Sequence, residues 1–168
     1  MNNAGGSRLT VPVGFRVSSS SSIFYAEIDD LTASGRLFLE SRAVTYYIAH
    51  EYDDKGTGLL ITGSNNETAV LKLWKEVEAH QFNYPTSTVV WKLFYKPIFG
   101  MATDAAIVEE NETKLRKVLD VYKTRLAQSK YLASDNFTLA DLYHVPNIQY
   151  LLATSAKKLL KSRPHVSA

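Results

Sequence analysis

The sequence contains no cysteine. That excludes disulfides, thiolate nucleophiles and thiolate metal sites, and it fits a reducing compartment such as the cytoplasm. Charge of one sign is not in excess either. Nineteen basic and 17 acidic residues leave a formal net charge of +2, too little to imply nucleic acid or an anionic membrane as partner. No apolar run approaches the roughly 18 residues a membrane helix needs. Glycine-rich phosphate loops and the GxSxG nucleophile pattern are missing. The four histidines (His50, His80, His144 and His165) have no i, i+4 partners of metal-binding type, so no metal and no other cofactor is expected. Acidic residues are lacking from 1–26, which carry Arg8, Arg16 and a run of five serines, Ser18–Ser22. Transit peptides share that composition, but the plainer reading is an unstructured or unrelated leader on a cytoplasmic chain.

What is present is ordinary globular composition, 45% hydrophobic and 21% charged. A chain of 168 residues can bury one good core or two small units. Aromatic and β-branched "IFYAEI" (23–28) reads as a strand, Ser34-Gly35 as a turn, and Arg36–Leu39 as a second strand. A helix follows, with Val44, Tyr47, Ile48 and Tyr52 on one face. Residues 53–63 are a linker rich in Asp, Gly and Thr.

From Ser64 onward the pattern is helical throughout. "SNNE" (64–67) is a capping box, and Val70, Leu73, Trp74 and Val77 follow on one side. Tyr84-Pro85 should kink or break that helix, and Lys96-Pro97 should end its continuation. Over 104–128, Val108, Leu115, Val118, Leu119, Tyr122 and Leu126 line one face, with Glu109, Glu110, Glu112, Lys114, Arg116 and Lys117 on the solvated side. "NFTLADL" (136–142) carries a second box, Thr138 as N-cap and Asp141 at N3, with Phe137 and Leu142 as hydrophobic staple. Box and staple together make the Thr138/Asp141 pair structural capping rather than chemistry. Pro146 should bend this last long helix. The basic "KKLLKSRPH" reads as a solvated helix end. The fold class is therefore α+β overall but mostly α.

One stretch invites a ligand. In "LFLESRAV" (37–44) an apolar strand meets Glu40 and Ser41 at a helix start. The helix N-terminus favours an anion, through free amides and the macrodipole. Glu40 can accept from an ammonium group. Ser41 is equally a plain N-cap.

"LWKEVEAHQFN" (73–83), "FYKPIFG" (94–100), the long run 103–151 and "SRPHV" (162–166) resemble the C-terminal domain of plant phi-class glutathione transferases. "FLESRAVTYYIAHEY" (38–52) resembles the last strand and third helix of their thioredoxin-like N-terminal domain. The resemblance implies a partial thioredoxin-like unit over 23–52, the linker 53–63, and a helical C-terminal domain over 64–168. It implies conjugation of the glutathione thiol to hydrophobic electrophiles, with glutathione as co-substrate, and a homodimer. Glu40 and Ser41 match the residues that hold the γ-glutamyl end of glutathione, with Arg42 beside them. Phe94, Phe99 and Tyr122 are candidates for the electrophile site. The family's activating serine and its Gln-Val-Pro segment have no counterpart at the expected spacing. The stretch between Ser22 and Glu40 is too short for two helices and two strands, since one parallel crossover alone takes about a dozen residues. The expectation is a chain lacking the family's N-terminal βαβ unit and its final helix, with a poorly ordered β remnant. The alternative function is a non-catalytic helical unit that binds hydrophobic ligands or dimerises, or a gene product without activity.

Overall fold

The computed structural model describes residues 41–167. The leader, both expected strands and Glu40 lie outside the described residues. The chain divides into two units, Met1–Tyr52 and Asp53–Ala168. Among the described residues every regular element is helical.

In the first unit, α1 spans Ser41–Glu51. Of the expected face only Val44 is buried, while Ile48 and Tyr52 are exposed. The second unit opens with an irregular stretch that turns at Gly58, whose φ of 64° suits a residue without Cβ. The backbone of this stretch joins the bundle where the Leu139 amide donates to the Leu59 carbonyl (3.0 Å).

α2 (Asn65–Val77) starts as the sequence implies. The Glu67 amide donates to Ser64 Oγ (3.3 Å), and Glu67 Oε2 accepts from the Ser64 amide (2.9 Å). The Ser64 amide and Ser64 Oγ (3.0 Å) both donate to Glu67 Oε2, and these two bonds hold the Glu67 carboxyl below the usual carboxylate range. Three residues of the expected face turn inward, Trp74 buried and Val70 and Val77 half-buried against the core, while Leu73 is exposed and Leu71 is buried in its stead, in line with Glu78 and Phe82 further on.

Pro85 does not break this helix, and the helical path ends at Ile98, one residue past Pro97. The path runs on through a π-helical segment Glu78–Phe82, then α3 (Asn83–Val90), a second π segment Trp91–Tyr95, and α4 (Lys96–Ile98). A proline ring clashes with the carbonyl four residues earlier and offers it no amide. Those carbonyls belong to Gln81 and Leu93, and each lies in a π segment. The wider turn relieves the clash and lets the helix continue. Phe82 carbonyl also accepts from Thr86 Oγ1 at 2.7 Å. Beyond Ile98 the chain turns at Gly100, where φ is 66°.

α5 (Ala105–Leu126) is capped by Asp104, whose carboxylate accepts from the amides of Ala106 and Ile107, a cap the sequence reading did not include. Leu115, Leu119 and Tyr122 are buried as expected. Glu112 is not on the solvated side. It is buried, and its charge is balanced by Arg116 (3.0 Å) and Lys158 (3.5 Å). The expected bend at Pro146 is a break: α6 (Leu139–Leu142) and α7 (Val145–Leu152) are separate, and the proline sits in the first turn of α7, where its missing amide costs nothing. A 3₁₀ turn (Ser155–Lys157), α8 (Lys158–Lys161) and α9 (Pro164–Ser167) complete the described chain.

The core lies between α3, α5 and α7. Phe82, Val89, Leu115 and Leu151 are fully inaccessible there, and Leu159 and Leu160 close one end. Arg163 fastens the last helix to α5 by donating through Nε and Nη2 to Asp120 Oδ1 (2.9 and 2.6 Å).

Candidate functional site

The expected γ-glutamyl site reaches the described residues only through Ser41 and Arg42. Both lie in the first turn of α1, Ser41 exposed and Arg42 half-buried. Ser41 is in its place because the helix is already closed behind it: Thr45 Oγ1 donates to the Ser41 carbonyl at 2.7 Å. An exposed hydroxyl on the first turn of an 11-residue helix is a donor set for a carboxylate.

Thr138 and Asp141 are fully engaged in structure. Asp141 Oδ2 accepts from the Thr138 amide and from Thr138 Oγ1, both at 2.9 Å. Asp141 Oδ1 accepts from the Leu132 amide (3.0 Å) and so ties the preceding loop to α6. Phe137 rests edge-on against Tyr131, with ring centroids 5.7 Å apart.

The three electrophile-site candidates separate. Tyr122 is part of the core. Its hydroxyl donates to His144 Nε2 (2.8 Å), because His144 Nδ1 is engaged with the Ala140 carbonyl (2.7 Å). The Tyr122 ring is stacked on Phe82 and meets Trp74 edge-on. Burial, and then the nearby Glu78 charge, push its phenol far above the ordinary tyrosine range. A residue so enclosed cannot line an open ligand site.

Phe94 and Phe99 instead belong to a surface aromatic cluster. Trp91, Tyr95 and Phe99 recur at i, i+4 and i+8, with ring centroids 5.9 Å (Trp91–Tyr95) and 6.3 Å (Trp91–Phe99) apart. Phe94 and Tyr95 both pack on Tyr150 of α7, at 5.2 and 5.4 Å. Trp91 is 45% exposed and Phe99 is 63% exposed, so the cluster is an open apolar wall rather than a filled core. A hydrogen bond with Tyr150, then slight burial, raise the Tyr95 phenol above its ordinary value. The ring contact of Tyr95 with Tyr150 links α7 to the π segment Trp91–Tyr95. Trp91, Tyr95 and Tyr150 were not singled out from the sequence, although the 91/95/99 spacing was there to be read. Among the described residues no group of His, Asp or Glu side chains is placed to hold a metal ion.

Residues 82–168 match the model of the glutathione S-transferase C-terminal domain. The chain is 57% identical over 129 residues to glutathione S-transferase F6 of Arabidopsis thaliana, a stretch covering 77% of this chain and 61% of that one. It thus spans about three-fifths of that relative's length. Among solved structures, glutathione S-transferase III in its apo form superposes with a TM-score of 0.76 at 43% identity, covering 81% of this chain and 62% of that one. Glutathione S-transferase I from maize, solved in complex with an atrazine–glutathione conjugate, superposes with a TM-score of 0.72 at 38% identity, covering 80% and 62%. This chain belongs to the glutathione S-transferase family, phi class, and carries that family's helical C-terminal domain.

Proposed function

We propose that this chain serves glutathione conjugation: the glutathione thiol is added to a hydrophobic electrophile, in the cytoplasm, by a homodimer. The observation that carries this reading is the 57% identity to a plant glutathione S-transferase. Glutathione is the co-substrate. Its γ-glutamyl ammonium is held by Glu40, and its α-carboxylate by the Ser41 hydroxyl and the amides at the start of α1, with Arg42 adding positive potential. The electrophile lies on the wall formed by Trp91, Phe94, Tyr95, Phe99 and Tyr150. Apolar area and ring faces bind a flat hydrophobic molecule there, and the tyrosine hydroxyls orient its polar atoms.

Two residues of the chain serve this chemistry indirectly. Pro97 holds Trp91–Tyr95 in its wide turn, which sets the spacing of Phe94 and Tyr95 against Tyr150. Asp141 fixes α6, and through it the start of α7 that carries Tyr150.

The test uses purified full-length chain on immobilised glutathione, followed by a conjugation assay with a chloronitrobenzene. Retention together with turnover well above the uncatalysed rate supports the reading. Retention without turnover corresponds to a second reading, a non-catalytic unit that binds hydrophobic ligands. The open aromatic wall favours that alternative, since it needs no activated thiol.

A further inference from the structure

A buried polar cluster that neither the glutathione end nor the aromatic wall uses sits where three elements meet. Glu78 opens the π segment Glu78–Phe82 and is fully inaccessible. Tyr122 on α5 and His144 at the start of α7 are 3% and 4% exposed. Phe82 closes the group, its ring centroid 4.5 Å from that of His144 and 5.9 Å from that of Tyr122.

Hydrogen bonding sets what each atom of His144 can do. Nδ1 meets the Ala140 carbonyl (2.7 Å) only as a donor, so in the neutral ring Nε2 is the acceptor for the Tyr122 hydroxyl (2.8 Å). A second proton, taken from solvent onto Nε2, puts a donor where the acceptor was. The Tyr122 hydrogen must then turn to another acceptor, and the imidazolium is buried. Glu78, whose charge acts on the Tyr122 phenol, supplies the counter-charge that lets the cluster accept this proton. On the neighbouring elements, Asp141 of α6 is committed to Thr138 and Leu132, and Lys75 of α2 lies 5.7 Å from the centre of the Tyr143 ring.

The cluster bears on α7. His144 immediately precedes this helix, and its carbonyl accepts from the Ile148 amide (3.0 Å) in the first turn. At about 1.5 Å per residue, Tyr150 lies roughly 9 Å further along the axis, where it packs on Phe94 and Tyr95. A helix of eight residues owes its seat to tertiary ties. One tie is Tyr122 to His144, and another is the Asn147 side-chain amide donating to Asn83 Oδ1 (2.8 Å). We propose that His144 is a proton-sensitive positioning residue for the aromatic wall. Neutral, it seats α7 and holds Tyr150 against Phe94 and Tyr95. Protonated, it reverses its bond with Tyr122 and loosens that seat. Its effect on ligand affinity rests on the reading of the wall as a ligand site, whereas its effect on α7 does not.

Hydrogen exchange of the full chain between about pH 7.5 and 5.5, where histidine changes charge, reads the seat of α7. On acidification, protection factors at Ile148 and Leu151 are expected to fall about five-fold relative to those at Leu115 and Leu119 of α5, the equivalent of one ordinary hydrogen bond. His144→Gln keeps an acceptor for Tyr122 that does not titrate, and its α7 protection is expected to stay level over this range. Tyr122→Phe removes the bond itself, and its α7 protection should already be low at neutral pH. His80→Gln removes an exposed histidine paired with Glu76, and should respond to pH as the parent does. Calorimetric titration with naphthyl methanol, which carries no titrating group, should show a similar fall in affinity in the parent and none in His144→Gln. Level α7 protection in the parent overturns the proposal without any variant having to fold. So does a fall in His144→Gln equal to the parent's, or an affinity for naphthyl methanol that Phe99→Ala weakens and pH does not. Phe99→Ala also separates the two readings: unchanged affinity there removes the wall as a ligand site and leaves the α7 result to decide the role of His144.

Discussion

At the scale of single residues, enclosure decides role. Tyr122 and Phe99 are both aromatic and both were candidates for the electrophile site. Tyr122 is 3% exposed and bonded to His144, whereas Phe99 is 63% exposed. Sequence periodicity placed Tyr122 on the inner face of α5, but periodicity cannot say how deep a face lies. Replacing Tyr122 by Phe keeps the ring and removes the donor to His144 Nε2. Leaving a buried acceptor without its partner should cost about 1–3 kcal/mol, read as a lower midpoint of denaturant unfolding with the slope unchanged. Glu112 teaches the converse. It sits among charged residues in sequence, and its burial depends on Lys158 arriving from a distant helix, which no local window reveals.

At the scale of elements, the starts of α2 and α6 were legible, whereas the Asp104 cap of α5, the separate start of α7 and the π segments were not. Ser64/Glu67 and Thr138/Asp141 are local signals, three residues apart, and the structure makes both as hydrogen-bonded pairs. The two π segments are responses to prolines downstream and have no sequence signal beyond the proline itself. The capping at Ser64 carries a pH signature. Because the folded state holds Glu67 below its ordinary carboxylate value, its contribution is present above that ordinary value and is lost as pH falls through the folded one. Protection factors of the amides in the first turn of α2 should therefore fall as pH drops below the ordinary carboxylate range, and in Glu67→Ala they should already be low at neutral pH.

Pro97 gives a second test at this scale. Pro97→Ala restores an amide donor to the Leu93 carbonyl and lets the π segment tighten to α-helix. Tyr95 should then lose its bond with Tyr150 and titrate nearer its ordinary value. Absorbance titration of the variant against Tyr150→Phe checks this, since both should shift Tyr95 the same way.

At the scale of the whole molecule, the helical part was legible because its amphipathic stripes and caps are dense from Ser64 onward. The glutathione side was legible only by resemblance. Glu40 and the expected strands fall outside the described residues, and the chain spans 61% of its Arabidopsis thaliana relative. The small net charge of +2 leaves association to apolar surface rather than to long-range fields. α1 leaves Tyr46 and Ile48 exposed, with Tyr52 just after it, which suits the proposed homodimer. Sedimentation equilibrium should give twice the mass of one chain, and Ile48→Glu should return it to the mass of a single chain.

The central claim is that one end of α1 holds glutathione while a separate aromatic wall holds the electrophile. Initial conjugation rates at varied glutathione and varied chloronitrobenzene, for the parent chain, Ser41→Ala and Phe99→Ala, test it most directly. Ser41→Ala should raise KM for glutathione about five- to thirty-fold, the equivalent of about 1–2 kcal/mol for one lost hydrogen bond to a charged group, with KM for the electrophile unchanged. Phe99→Ala should do the reverse. A parent chain no faster than the uncatalysed reaction, or two variants that raise both constants together, would contradict the account.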